Sequence, residues 1–162
     1  MPESDAKRAK HTRMATTTMD DDDDDSMTMM TIDEDLHSRQ LAVYGRESMR
    51  KLQNSRVLIV HAKGLGCEIA KNVILAGVRG VTIADDGRCA TDDLAAQFYA
   101  SEADVAAGKT RSEACVGKLQ ELNPAVDVCA HVGVVDASVI SRHDVVVCTE
   151  TSEREARRVN EA

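Results

Sequence analysis

From Leu36 to Leu52 the apolar side chains Leu36, Leu41, Val43, Tyr44, Met49 and Leu52 recur at roughly helical spacing around Gly45, which predicts one bent helix or two short ones. The period then changes. Arg56 to Val60 and Gly80 to Ala84 are short apolar runs of strand length. Between them, Leu65 to Ala76 returns to the helical period, directs Ile69, Val73 and Ile74 toward a sheet, and stops at Gly77, a residue suited to the left-handed position after a helix. A turn at Asp85-Asp86-Gly87 opens a long irregular connection over 88–108, with a short helix expected near Leu94 to Phe98. Thr110-Arg111-Ser112-Glu113 is a capping box, in which Thr110 and Glu113 satisfy free amides at the start of a helix. That helix presents Ala114, Leu119 and Leu122 to the core and ends at Asn123-Pro124. A third strand from Val126 to Val132, a short helix near Ala137 to Ser141 and a fourth strand from Asp144 to Cys148 follow.

Strands alternating with helices at this spacing predict an α/β fold, a Rossmann-like parallel sheet with right-handed crossovers and helices on both faces. Four strands are few for a doubly wound sheet, so the sheet is expected to be incomplete at the C-terminus. The organisation reads as an acidic tail over 1–31, a domain over 32–150 and a truncated polar C-terminal segment over 151–162.

The junction between the first strand and the helix after it carries the first chemical clue. His61-Ala62-Lys63-Gly64-Leu65-Gly66 stands where a nucleotide-binding βα turn places its glycines. In the intact turn the first glycine permits the bend, the second lets phosphate approach the backbone and the third lets helix pack on strand. Those positions are His61, Lys63 and Gly66, with an extra Gly64, so the packing glycine is kept and the two that serve phosphate are not.

Composition narrows the partners. The chain has 162 residues, enough for one domain with a core, and its single Phe, two Tyr and absent Trp leave that core to aliphatic side chains. The net charge of −8 is local, because residues 1–35 hold four Lys/Arg against eleven Asp/Glu, including the run Asp20 to Asp25. Such a tail buries too little apolar surface to order itself, and its basic stretch Lys7 to Arg13 reads as a nuclear import signal or as plain solvated chain. An acidic chain without a basic stripe argues against nucleic acid, and no apolar run reaches membrane-spanning length. Cys67, Cys89, Cys115, Cys129 and Cys148 are widely spaced with no CxxC pair, which points to buried reduced thiols and no zinc site.

Ser38-Arg39-Gln40-Leu41-Ala42-Val43-Tyr44-Gly45, the helix start Gly64-Leu65-Gly66-Cys67-Glu68-Ile69-Ala70-Lys71-Asn72, the Leu75-Ala76-Gly77-Val78 turn and Gln97-Phe98 occur in that order. Over roughly Ile32 to Thr149 the chain resembles the N-terminal, non-catalytic adenylation half of ubiquitin-activating enzymes, the plant forms nearest. SUMO-activating enzyme small subunits share the later part of the pattern, notably Ile74 to Val78 and Asn123 to Val128. The resemblance implies a ThiF/MoeB-type adenylation fold, used in pairs of which one half binds ATP.

Active halves of the family carry a glycine-rich turn, an Asp for the ribose, an Asn-Arg-Gln-Phe element and a downstream Lys. By resemblance those positions are His61, Lys63 and Gly66; Asp85; Ala95, Ala96, Gln97 and Phe98; and Arg111. Beyond the packing glycine Gly66, only Asp85, Gln97 and Phe98 keep the family residue, so Gly64, Gly66, Asp85 and Arg111 are expected to outline a degenerate nucleotide pocket. Asp85 reads equally as a ribose ligand and as a turn former, and His61 as a base or as a polar filler of the vacated phosphate space. Cys67 at a helix start matches a packing position of the family. Arg39 matches the arginine that the inactive half offers to ATP bound in its partner, and as a permanently charged planar fork it suits phosphate chemistry in trans. The expected partners are an active adenylation half, which would hold ATP and Mg²⁺, and through it ubiquitin or a ubiquitin-like protein, in cytoplasm and nucleus; no cofactor is expected in this chain. The alternatives are a SUMO-activating regulatory subunit, a truncated fragment with only an interaction role, and a nicotinamide-dependent oxidoreductase, against which the lost glycines at 61 and 63 count.

Overall fold

The computed structural model describes residues 34–161. The acidic tail, with its Lys7 to Arg13 stretch, lies outside them. Helix α1 (Glu34–Asn54) breaks at Gly45, whose φ of 77° no ordinary helical residue adopts. The break brings Arg46 Nη1 to 2.6 Å from Glu34 Oε1, twelve positions away. In a straight helix those residues would stand about 18 Å apart along the axis. Past the break Met49 is buried and Leu52 packs on the core, whereas Val43 and Tyr44, which the helical period assigns to an apolar face, are exposed to solvent.

Four strands follow, β1 (Arg56–Val60), β2 (Gly80–Ala84), β3 (Asp127–His131) and β4 (Val145–Cys148), in the all-parallel order β3-β2-β1-β4. The chain leaves β1 toward β2 and β3 and then returns to the other side of β1, so the switch point of the sheet lies between β1 and β4. Val57 pairs with Val81 on one side and Val145 on the other.

The period of two sorts the strand residues into two faces. On the first, Val57, Ile59, Val81 and Ile83 meet Ile74 of α2 (Gly64–Ala76) and Cys115 and Leu119 of α4 (Arg111–Gln120) in one buried cluster. Removing an aliphatic side chain such as Ile59 or Ile74 from water contributes about 2 kcal/mol, and this face holds most of them. On the second face Leu58 and Ala84 pack under Val139 of the short α5 (Ala137–Ile140), a smaller cover. Helices therefore lie on both faces, unequally.

Local signals hold where their chemistry is specific. Gly77 takes the left-handed position after α2 with φ 82°, and Thr110 and Glu113 cap α4 reciprocally. The connection over 88–108 is more ordered than its sequence suggests. In place of a helix near Leu94 to Phe98 it has a 3-10 turn over Thr91–Ala95 and a helix α3 (Glu102–Ala106), and Phe98 is 91% exposed. The reason is a second capping box, Ser101 with Asp104, which starts a helix four residues after Gln97. Residues Glu153–Asn160 form α6, whose Glu155 and Arg158 line the crevice beside β1. No helix among the described residues is long and apolar enough to cross a membrane.

Candidate functional site at the end of strand β1

Where β1 ends the backbone enters a tight turn. His61 has φ 72°, the conformation that the first glycine of a nucleotide-binding turn supplies without strain and that costs a side-chain-bearing residue about 1–2 kcal/mol. The bend is fixed from every side. His61 N–H donates to Ala84 O at 2.8 Å, and Thr149 Oγ1 donates to Val60 O at 2.9 Å or His61 O at 3.1 Å. Gln97 Nε2 and the Cys67 thiol both donate to Ala62 O. Gln97 is buried and its Oε1 takes no partner, so the side chain is committed to the turn through its amide N–H groups alone.

Gly66 makes the turn possible. A Cβ at that position would collide with the His61 carbonyl oxygen, lie 3.1 Å from its carbon and 3.3 Å from Thr149 Oγ1. Gly64 is also crowded, since a Cβ there would stand 2.9 Å from Ala96 Cβ and 3.0 Å from Ala96 O. Lys63, the residue before α2, gives the helix no side-chain cap. Its ammonium lies 2.7 Å from Glu150 Oε2, and Glu150, just past β4, also has a positive φ, 55°. The place where a phosphate would approach the first turn of α2 thus carries a lysine paired to a carboxylate of the same chain.

Asp85 is buried and fully engaged. One carboxylate oxygen accepts Ala62 N–H at 2.8 Å, and the other accepts Gly87 N–H at 2.8 Å and Arg111 Nη1 at 3.3 Å. Arg111 continues to Asp93, with Nε 2.9 Å from Oδ2. Burial works against the Asp93 carboxylate, yet the Ala90 N–H and the Arg111 guanidinium hold it below the usual carboxylate range. Burial likewise opposes the Arg111 charge, and Asp93 and Asp85 together keep its pKa above the ordinary value. Ser112 Oγ donates to Asp85 O at 2.7 Å, joining α4 to the same knot.

The structure therefore brings Gly64, Gly66, Asp85 and Arg111 together around one strand end, with the polar atoms of Asp85 and Arg111 turned on one another. A crevice of about 170 Å³ remains at the switch point, lined by His61, Asp85, Gly133, Cys148, Glu155 and Arg158 among others. Small-molecule sites usually run from about 300 Å³ upward. Arg39 is not among its lining residues; it stands exposed on α1. Sequence reading missed Glu150 and Asp93. Glu150 lies 87 positions from Lys63 with no local signal, whereas Asp93 pairs with the backbone of Ala90 at the three-residue spacing of a capping box, which was visible. Of the cysteines, Cys67, Cys89 and Cys115 are buried as expected, but Cys129 is exposed and Cys148 half-buried, because the second face has so little cover.

An all-parallel sheet with a left-handed turn after its first strand, a packing glycine and an acidic residue after the second strand defines a nucleotide-binding type of doubly wound domain. The chain belongs to the ThiF family, which it matches over residues 37–161. It is 54% identical to ubiquitin-activating enzyme E1 1 of Triticum aestivum over 121 residues, 75% of this chain and 11% of that protein. With ubiquitin-like modifier-activating enzyme 1 of Homo sapiens it shares 47% over 130 residues, 80% of this chain and 12% of the relative. The chain thus spans about a ninth of the length of these relatives. Among solved structures it superposes on the E. coli tRNA N6-threonylcarbamoyladenosine dehydratase TcdA with a TM-score of 0.64 at 14% identity, covering 83% of this chain and 57% of that one. For E. coli MccB with succinimide the TM-score is 0.61 at 22% identity, covering 77% and 40%. These likenesses establish the ThiF/MoeB-like Rossmann-type fold.

Proposed function

We propose that this chain is the non-catalytic adenylation half of a ubiquitin-like modifier activating enzyme, supporting adenylation and thioester activation of ubiquitin by an active partner half. One observation carries the reading. The phosphate-facing position of the β1–α2 turn is a lysine held by Glu150, while the Asp85 and Arg111 side chains are spent on each other and on the backbone. Residues so engaged do not fit a nucleotide, and no group of acidic, His or Cys side chains among the described residues suits a metal ion. The proposal assigns ATP and Mg²⁺ to the partner half.

What this chain lends is Arg39. It is exposed on α1, ahead of the Gly45 break, and its charge is free to meet a phosphate from outside. A guanidinium is permanently protonated and offers a bidentate fork, the chemistry that offsets charge during nucleotidyl transfer in trans. Its relatives named as ubiquitin-activating enzymes support ubiquitin as the modifier over SUMO, and the proposal places the assembly in cytoplasm and nucleus.

The test is ATP–pyrophosphate exchange by an active adenylation half with this chain added. Arg39→Ala should lower exchange about a hundredfold, the usual loss when one transition-state donor is removed. Unchanged exchange would overturn the role of Arg39, and acyl-adenylate formation by the purified chain alone would overturn the whole reading.

A further inference from the structure

The thinly covered second face holds a chain of three side chains that the adenylation fold does not use. Thr82 of β2 and Cys129 of β3 are register partners on adjacent strands, and Thr82 Oγ1 lies 3.3 Å from Cys129 Sγ. Directly opposed strand residues project side by side from the same face, so this contact is set by the sheet itself. On its other side Thr82 Oγ1 lies 2.8 Å from His143 Nε2, which stands between α5 and β4. The opposite ring nitrogen, His143 Nδ1, is 2.8 Å from Val139 O.

These contacts fix the direction of every proton in the neutral chain. A carbonyl only accepts, so His143 Nδ1 bears the hydrogen, and Nε2 of the neutral ring is an acceptor. Thr82 O–H then donates to Nε2, which leaves the lone pairs of Thr82 Oγ1 to accept the Cys129 S–H. If the thiol proton passes to Thr82 while the Thr82 proton passes to His143, both hydrogen bonds of Thr82 Oγ1 reverse, the His143 Nδ1–H bond to Val139 O stays as it is, and no heavy atom has to move. The thiolate then accepts from Thr82 O–H, which in turn accepts from the imidazolium. Cys129 is also the exposed cysteine of the five, with Cys67, Cys89 and Cys115 buried.

We infer that Cys129 is a thiol-exchange site that attacks low-molecular-weight disulfides, with Thr82 and His143 as positioning residues that carry its proton away. The step balances without any further oxidant. Cys129 sulfur bonds to one sulfur of the disulfide and is oxidised; the disulfide bond breaks, and the departing sulfur is reduced and takes the electron pair. The proton stored on His143 goes to that sulfur, so one disulfide yields one mixed disulfide on Cys129 and one free thiol. Arg39 and the β1–α2 turn play no part in it.

The probes are glutathione disulfide, followed by intact mass, and an aromatic disulfide that releases a coloured thiolate. The full chain should take up one equivalent fast, and Cys129→Ser should lose that equivalent. Thr82→Val, close to isosteric but without the hydroxyl, and His143→Gln should each slow it about tenfold at neutral pH, because the attacking thiol then lacks the hydrogen-bonded path that takes up its proton. Thr82→Ser restores the hydroxyl and should recover most of the rate, which a purely structural role for Thr82 would not produce. Equal rates in Thr82→Val, Thr82→Ser and His143→Gln, or first labelling at half-buried Cys148, would overturn the inference. Should Thr82→Val not fold, His143→Gln against Thr82→Ser decides.

Discussion

The turn after β1 and the turn after β2 differ from the nucleotide-binding pattern in opposite ways. After β1 the residues depart from the pattern and the shape follows it. His61 and Lys63 stand where the pattern has glycines, yet His61 adopts the left-handed bend and Gly66 packs beneath it. After β2 the residue has stayed and its availability has gone. Asp85 keeps the acidic side chain but spends it on Ala62, Gly87 and Arg111. The contrast teaches that residue identity and ligand competence are separate quantities. The same backbone frame can hold its side chains turned inward, because packing alone requires that frame.

Gly66→Ala is the harshest test of the kept shape. Its Cβ has nowhere to go, because the obstacle is the His61 backbone and not a movable side chain. Overpacking against backbone sits at the top of the usual range, so about 3 kcal/mol of stability should vanish in urea unfolding. Gly64→Ala meets only Ala96, on the flank of the 3-10 turn, and should cost about 1 kcal/mol. Similar losses for the two would mean that Gly66 has no special place in the turn.

Asp85→Ala tests the inward-turned carboxylate. It leaves the Ala62 and Gly87 amides and the Arg111 guanidinium without their acceptor, and breaking a buried ion pair from one side costs about 3 kcal/mol. A loss below about 1 kcal/mol, in the same urea titration, would show that the knot does not depend on Asp85.

His61→Gly should act in the other direction. It relieves the left-handed φ of 72°, worth about 1–2 kcal/mol, while glycine gives back part of that gain as chain entropy in the unfolded state. A net stabilisation of about 0.5–1 kcal/mol is expected, visible as a higher melting temperature. A lower one would mean that the imidazole itself supports the turn.

Most of the scaffold was legible in the sequence, and the reason is local. Strands β1 and β2 match their apolar runs residue for residue, and α2 ends where Gly77 supplies the left-handed cap. Thr110 and Glu113 announced α4 by side-chain chemistry confined to four residues. Ser101 and Asp104 carried the same signal for α3, which the irregular composition of 88–108 obscured. The interior of the site was not legible. That Lys63 meets Glu150, and that Arg111 turns toward Asp85 and Asp93, follows from the order β3-β2-β1-β4 folding distant strand ends together. Val43 and Tyr44 show the converse, apolar positions of the helical period that stay mostly exposed in the described fold.

The smallest effect concerns the connection that brings Asp93 to Arg111, and it is read in acid. Hydrogen bonds from the Lys109 ammonium and then the Ser101 hydroxyl hold the Asp104 carboxyl at about 2, below its ordinary 3.8. The Lys109 nitrogen lies 2.7 Å away and ties α3 to the start of α4. A carboxylate whose pKa falls on folding stabilises the folded state above its unfolded value, and that contribution is lost as pH drops from about 4 toward 2. Asp104→Asn should therefore flatten the fall of stability between about pH 4 and pH 2, most clearly at low salt, since the Lys109 side chain is 49% exposed and its charge is screened. An acid limb of unchanged steepness would place the sensitivity elsewhere, with Asp93 the next carboxylate to replace, because it too is held below the usual range and links the same connection to Arg111.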